Sequence, residues 1–260
     1  MSLNDMQKEI YSRQIMMREI GEEGQQKLLN TSALVVGCGG LGSPVLYYLT
    51  AMGIGHIGIC DGDTVSLLNL NRQILFTMDD IGKLKTDIAK ERLIALNPSI
   101  KISVYEQYME EILAERVIPE YDIIIDCLDN FETRFILNDV CLKAKKPLIH
   151  AGIGEFYGQL LTIIPGKTPC LRCIFPNGIK KQQSCHSASN NPLALETSPP
   201  DVFGVIGTTP GILGTLQAIE VMKYILEIPS FTEGILVVDT INQTMEKVKI
   251  KQNPNCICSK

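Results

Sequence analysis

Ala33-Leu34-Val35-Val36-Gly37-Cys38-Gly39-Gly40-Leu41-Gly42 opens a strand, turn, helix, strand pattern that runs to Asp63. Four apolar residues in a row read as a strand buried on both faces of a parallel sheet. The glycines that follow fit G-x-G-x-x-G. Residues 43–52 have the helical spacing of apolar side chains, and 56–60 form a second apolar strand ending at Asp61. Such a turn lets the backbone close on a phosphate chain, whose charge the helix start favours. Asp61 stands nineteen positions after Gly42, where a carboxylate can accept from ribose hydroxyls. The motif alone serves nicotinamide enzymes, flavin enzymes and plain structural turns alike.

Downstream, Asp63 opens a polar loop that carries Asn69, Asn71, Arg72 and Gln73. A loop after a parallel strand lies where ligands bind, although an ordinary surface loop would look the same. The spacing predicts an amphipathic helix over 81–97, stopped by Pro98, with Lys83 and Lys85 in its first turns. Cations there oppose the helix dipole, which a neighbouring triphosphate would offset; a solvated lysine pair is the plain reading. A strand over 101–105, a helix over 110–117 and a strand over 121–128 lead to Asp129-Asn130, followed by a helix over 131–145. Asp129 suits Mg²⁺ beside a phosphate site, and Asp and Asn also make good helix caps.

Strands are expected over 147–151 and 159–164, joined by a glycine-bearing segment over 152–158. A helix over 208–228 and closing strands over 235–240 and 244–250 follow. Residues 187–201 are rich in Ser, Asn and Pro and read as a loop. Near the start, 4–30 reads as short helices with a break over 11–15, and Arg13 by itself reads as a surface arginine. The expected fold is α/β: a Rossmann-like, mostly parallel sheet flanked by helices, with closing antiparallel strands. One domain is expected, with N-terminal helices over 4–30, a nucleotide-binding core over 31–151 and a remainder over 152–260.

The chain has 260 residues, 45% of them hydrophobic, enough for one large α/β domain. A net charge of −5 argues against a nucleic-acid partner. No apolar run approaches the roughly 20 residues that span a bilayer, and the polar start lacks a signal-peptide core. A soluble cytoplasmic protein is the expectation. Nine cysteines, an odd number, then point to metal ligands or a reactive thiol more than to disulfides. Cys60, Cys127 and Cys141 sit in apolar stretches as small hydrophobes would. Cys170-x-x-Cys173 is a metal half-site or a redox pair.

The glycine turn, Asp61, the 69–73 loop, Lys85, Asp129-Asn130 and a split cysteine pair together resemble the ThiF/MoeB/HesA family. Its members are ATP-dependent adenylyltransferases related to the ubiquitin-activating enzymes. The resemblance spans 13–258, with the elements in the family's order. A nicotinamide-dependent oxidoreductase has no reason to carry this combination; it and a non-catalytic scaffold that binds ubiquitin-like proteins are the alternatives of a different class.

The resemblance implies adenylylation of the C-terminal glycine of a small ubiquitin-like sulfur-carrier protein ending in Gly-Gly. Thiazole synthesis for thiamine is the expected pathway, with molybdopterin synthesis as the alternative and a peptide- or small-carboxylate-modifying relative as a further one. It implies that Gly37, Gly39, Gly40 and Gly42 contact ATP and that Asp61 holds the ribose, with Asp63 beside it. Asn69, Arg72 and Lys85 then bind phosphates, with Gln73 in the same loop. Asp129 holds Mg²⁺ and Asn130 assists at the nucleotide.

Arg13 matches an arginine that reaches the neighbouring subunit's ATP site, which implies a homodimer. Cys170 and Cys173, with Cys256 and Cys258, are implied to bind zinc, although Cys256-x-Cys258 is one residue shorter than the family's pair. Cys185 matches a cysteine that joins covalently to the carrier in thiazole-forming relatives, but the 187–201 stretch is an insertion. With no rhodanese-like segment in the sequence, a separate sulfur donor is implied.

Overall fold

The fold is taken from a computed structural model that describes residues 3–176 and 204–259. Three short helices begin the chain: α1 (Asp5–Ile10), α2 (Ser12–Ile15) and α3 (Gly21–Leu29). Asn4 and Gln7 cap α1 reciprocally, each side chain accepting from the other's backbone N–H at 2.8 and 3.0 Å. The alternating units follow: β1 (Ser32–Val36), α4 (Gly42–Met52), β2 (His56–Cys60), α5 (Lys85–Leu96), β3 (Lys101–Tyr105), α6 (Glu111–Val117), β4 (Ile123–Asp126) and α7 (Phe131–Ala144). The rest comprises β5 (Leu148–Gly154), β6 (Tyr157–Ile163), α8 (Leu171–Ile174), α9 (Thr208–Ile225), β7 (Gly234–Asp239) and β8 (Thr244–Lys249).

Among the described residues, eight strands join one sheet in the order β3-β2-β1-β4-β5-β6-β7-β8. The first five are parallel and the last four pair antiparallel. Ala33, Val35, Ile57, Ile59, Ile123 and Ile125 pack on one face with residues of α4, α5 and α9. Leu34, Val36, Ile124, Leu148 and Ile163 pack on the other with residues of α6 and α7. Burial on both faces is why these strands are apolar runs without alternation. The chain runs outward from β1 through β2 to β3, then returns across β1 to β4. Their carboxyl ends flank the point where strand order reverses, the usual ligand position in such sheets.

Three local expectations need correction. Helix α5 begins at Lys85 rather than at 81. Gly82 has a φ of 86°, and Asp80 ties back to the backbone N–H of Thr77 at 2.7 Å, so the helical phase is broken before Lys83. Lys83 therefore lies outside the helix, 3.9 Å from Asp80. The segment over 152–158 is mostly strand, because Glu155, with a φ of 49°, turns β5 into β6 within two residues. The expected break over 11–15 holds the short helix α2, after a buried Tyr11 whose hydroxyl accepts from Asn97 at 2.7 Å.

Gly37 makes the parting of β1 and β4 possible. Its φ is 99°, and a Cβ there would meet the Cys127 carbonyl oxygen at 2.6 Å. Gly82 has a similar φ but open space around it. In denaturant titrations, Gly82→Ala should cost about 1 kcal/mol from backbone strain alone. Gly37→Ala adds a clash with a buried backbone and should cost about 3 kcal/mol or more. Equal costs would show that the contact between the two strands is not a constraint.

Candidate functional site

The glycine turn is tied to the end of β2. Asp61 Oδ2 accepts from the Cys38 N–H at 2.7 Å, and Oδ1 accepts from the Asp63 N–H at 2.8 Å. Burial pushes the Asp61 carboxyl up, and the opposing pull of Lys85 and these two amides does not cancel it. Lys85, only 4% exposed at the first position of α5, places its ammonium 2.8 Å from Asp63 Oδ2. The Tyr108 hydroxyl donates to the other oxygen, Oδ1, at 2.7 Å. Burial raises the Asp63 carboxyl, but its bonds to Lys85 and Tyr108 outweigh that and hold it below the usual range. Beside Tyr108 lies a hollow of ≈ 520 Å³ lined by Gly62, Glu106, Glu110, Leu113 and Arg116.

The loop after β2 folds over the glycines. Gln73 Nε2 lies 3.4 Å from where a side chain on Gly39 would begin, and the buried Gln73 Oε1 has no hydrogen-bond partner. Arg72 lies beside Gly40, as does Pro210 in the first turn of α9. Its guanidinium donates to the Leu68 carbonyl at 2.9 Å and to Asn71 Oδ1 at 3.0 Å. The Asn69 side chain is engaged within its own turn, accepting from the Ser66 N–H at 3.2 Å. Gly37, Gly39, Gly40, Gly42, Asp61, Asp63, Arg72, Gln73 and Lys85 are thus gathered at one end of the sheet.

Asp129 and Asn130 are exposed in the loop after β4. Asn130 caps α7, accepting from the Thr133 N–H at 3.0 Å, so the capping role considered for this pair is real for Asn130. Asp129, an exposed carboxylate at a strand's carboxyl end, has the oxygen chemistry a Mg²⁺ ion takes. The loop is braced from beneath by residues that pattern reasoning passed over. Arg134 Nη2 donates to the carbonyls of Leu128 and Ala151, at 2.6 and 3.1 Å. Gln217 Nε2 donates to those of Asp126 and Ile149, at 2.8 and 3.1 Å. Asp126 and His150 are fully buried and bonded to each other at 2.6 Å. Their signal was present: a polar residue inside each of two apolar strands.

Arg13 is exposed on α2 and away from this turn. Its neighbour Gln14 bonds to the Met52 carbonyl at the far end of α4, about 16 Å of helix from Gly42.

Cys170, Cys173, Cys256 and Cys258 converge, with all four sulfurs within 4.8 Å of one another. Cys170 pairs with Cys256 at 3.5 Å and Cys173 with Cys258 at 3.3 Å. Tetrahedral Zn–S bonds of about 2.3 Å would set sulfurs roughly 3.8 Å apart, so the donor set fits zinc. The shorter Cys256-x-Cys258 spacing is accommodated because each of its thiols meets a different cysteine of the first pair. Burial pushes the Cys258 thiol up, but hydrogen bonds from Gln252 and the other thiols bring it down to about 7. Cys185 and residues 187–201 lie outside the described residues.

Residues 11–259 match the ThiF family. The chain belongs to that family. It is 37% identical to the SAMP-activating enzyme E1 of Haloferax volcanii over 98% of this chain and 90% of that one. It is 35% identical to the sulfur carrier protein adenylyltransferase of Thermus thermophilus, over 95% and 88%. Identity is 40% to a probable molybdopterin-synthase adenylyltransferase of Porphyra purpurea, over 92% of this chain and 60% of that one. A crystal structure of E. coli MccB with MccA-N7isoASN superposes with a TM-score of 0.79 at 26% identity, covering 97% of this chain and 75% of that one. Among the described residues of this ThiF chain, no helix is long and apolar enough to cross a membrane.

The cysteine cluster generates a direct test. Metal analysis of the full chain should find one zinc per chain, and Cys173→Ser should release it. Removing the metal with a chelator should lower the melting temperature, since the site ties the chain's end to the α7 face of the sheet.

Proposed function

We propose that this ThiF-family protein adenylylates the C-terminal glycine carboxylate of a small ubiquitin-like sulfur-carrier protein. The observation that carries this reading is the convergence of the buried Lys85 and of Arg72 on a glycine turn at the strand-order reversal. A carboxylate oxygen of the carrier attacks the α-phosphorus of ATP. The bond from that phosphorus to the bridging oxygen breaks, and pyrophosphate leaves with the electron pair. The nucleophile is already ionised near neutral pH, so no general base is required. What the site must supply is positive charge that holds two anions together and spreads the charge developing on the phosphates.

In this reading the amides around Gly39 and Gly40 face the phosphates and Asp61 accepts from the ribose. The hollow beside Tyr108 is open enough for the base. Lys85 and Arg72 contact the phosphates, with Gln73 and Asn69 shaping the loop around them and Asn130 fixing the start of α7. Asp129 would hold Mg²⁺, which when bound neutralises phosphate charge. Zinc at the four cysteines would be structural.

Arg13 cannot serve its own chain's site from the far end of α4, which favours a homodimer with Arg13 supplied in trans. Met6, Ile10, Met16 and Met17, all about half exposed or more around it, are apolar enough for such an interface. Sulfur would come from a separate donor. The relative named for molybdopterin synthase favours that pathway over the thiazole one, and carriers of both kinds belong in the assay.

ATP–pyrophosphate exchange should appear when a carrier ending in Gly-Gly is added. Lys85→Ala should reduce it about 100-fold or more with the fold unchanged by circular dichroism. Exchange at the wild-type rate would sink the assignment. Nicotinamide binding without exchange would instead support the oxidoreductase alternative.

The trans arrangement has its own test. Arg13→Ala and Lys85→Ala should each be inactive alone. Mixed with subunit exchange, they should recover about a quarter of the wild-type rate, because half the dimers are mixed and each of those has one complete site. No recovery from two inactive variants would rule out supply in trans.

A further inference from the structure

Tyr108 is two-thirds exposed, at 66%, yet its hydroxyl is committed to one carboxylate oxygen. The backbone of Asp63 is pinned on both sides. Its N–H donates to Asp61 Oδ1 at 2.8 Å, and its carbonyl accepts from the Lys85 N–H at 3.0 Å. What remains free is the rotation of its carboxylate, a broad, roughly two-fold torsion. Two donors fill the two oxygens, the Tyr108 hydroxyl at 2.7 Å on Oδ1 and the Lys85 ammonium at 2.8 Å on Oδ2. The ammonium sits at the end of a flexible four-carbon stem, so its place depends on a partner that holds still.

We propose that Tyr108 is a positioning residue for the nucleotide: through Asp63 it fixes where the Lys85 ammonium stands as a polyphosphate arrives. This inference rests on the ATP reading above. A neutral hydroxyl is suited to the task. It orients the carboxylate without adding a charge that would compete for the phosphates, and by taking one oxygen it leaves the other to Lys85. Tyr108→Phe keeps the ring beside the hollow and removes only that constraint. The carboxylate can then turn, and the ammonium follows it or loses it.

The test uses the full-length protein and calorimetric titration with ATP and, separately, with adenosine. Tyr108→Phe should bind ATP about fivefold more weakly, the usual worth of one such hydrogen bond, while adenosine binding stays unchanged. In an Asp63→Asn background the same substitution should have no further effect, because the connection to Lys85 is already cut. Unaltered ATP affinity in Tyr108→Phe would overturn the inference. So would equal weakening for ATP and adenosine, which would mean that Tyr108 serves the base, and so would additivity with Asp63→Asn. Those outcomes leave the adenylylation reading standing, whereas wild-type protein that binds no ATP would remove both.

Discussion

The structure depends on the place where β1 and β4 stop pairing. Up to Val36 and Asp126 the two strands are held in parallel register. Immediately beyond, Gly37 passes so close to Cys127 that no side chain fits between them. The close pass lets one strand turn into α4 and the other into the Asp129 loop without a gap in the core. The glycine turn and the Asp129 loop leave from that parting, and the loop after β2 lays Arg72 and Gln73 against the glycines. Arg134 takes the carbonyls of Leu128 and Ala151 from one side, and Gln217 takes those of Asp126 and Ile149 from the other. A loop braced in this way holds its residues at fixed distances.

Charge in the crevice is balanced before any ligand enters. A lysine as buried as Lys85 would be strongly unfavourable alone, and Asp63 provides its counter-charge. An ammonium has three donors and Asp63 takes one of them, so Lys85 can meet a second anion without leaving its carboxylate. Asp61 is kept in place by two backbone amides instead of a cation. Its position therefore does not depend on where the lysine's charge is directed. Ground-state contacts of this kind preorganise the site, so little reorganisation is left for the moment of reaction.

Much of this was legible in the sequence because it is local. The 33–42 run gives a strand and a glycine turn by residue type alone, and 56–60 matches its strand to the residue. Lys85 stood out as a cation at the wrong end of a helix. The start of α5 was misplaced because Asp80 and Gly82 act through backbone geometry, which an apolar period does not register. Arg134, Gln217 and Tyr108 escaped for another reason. Their partners lie between 6 and 91 positions away along the chain, and nothing in a pattern of hydrophobicity says which carbonyl or carboxylate they will meet. Asp126 and His150 were visible as oddities, yet only the β4–β5 register makes them a pair.

The cysteine cluster raises a question of charge that the core around it answers. Four thiolates on one divalent ion carry an excess of two negative charges, and Cys170, Cys256 and Cys258 are packed among apolar residues of the α6–α7 face. Such a group needs a cation within reach. Arg172 lies inside the Cys170–Cys173 span, and its guanidinium is raised first by its bond to Asp139 on α7 and further by Cys170 and Cys256. Asp139 orients Arg172 across to α7, and Arg172 also stacks over Phe135, 5.0 Å from the ring centre. The staple therefore joins three parts of the chain. Zinc at the four cysteines would link the 170–173 turn to the C-terminal residues, and the Arg172–Asp139 pair links that turn to α7.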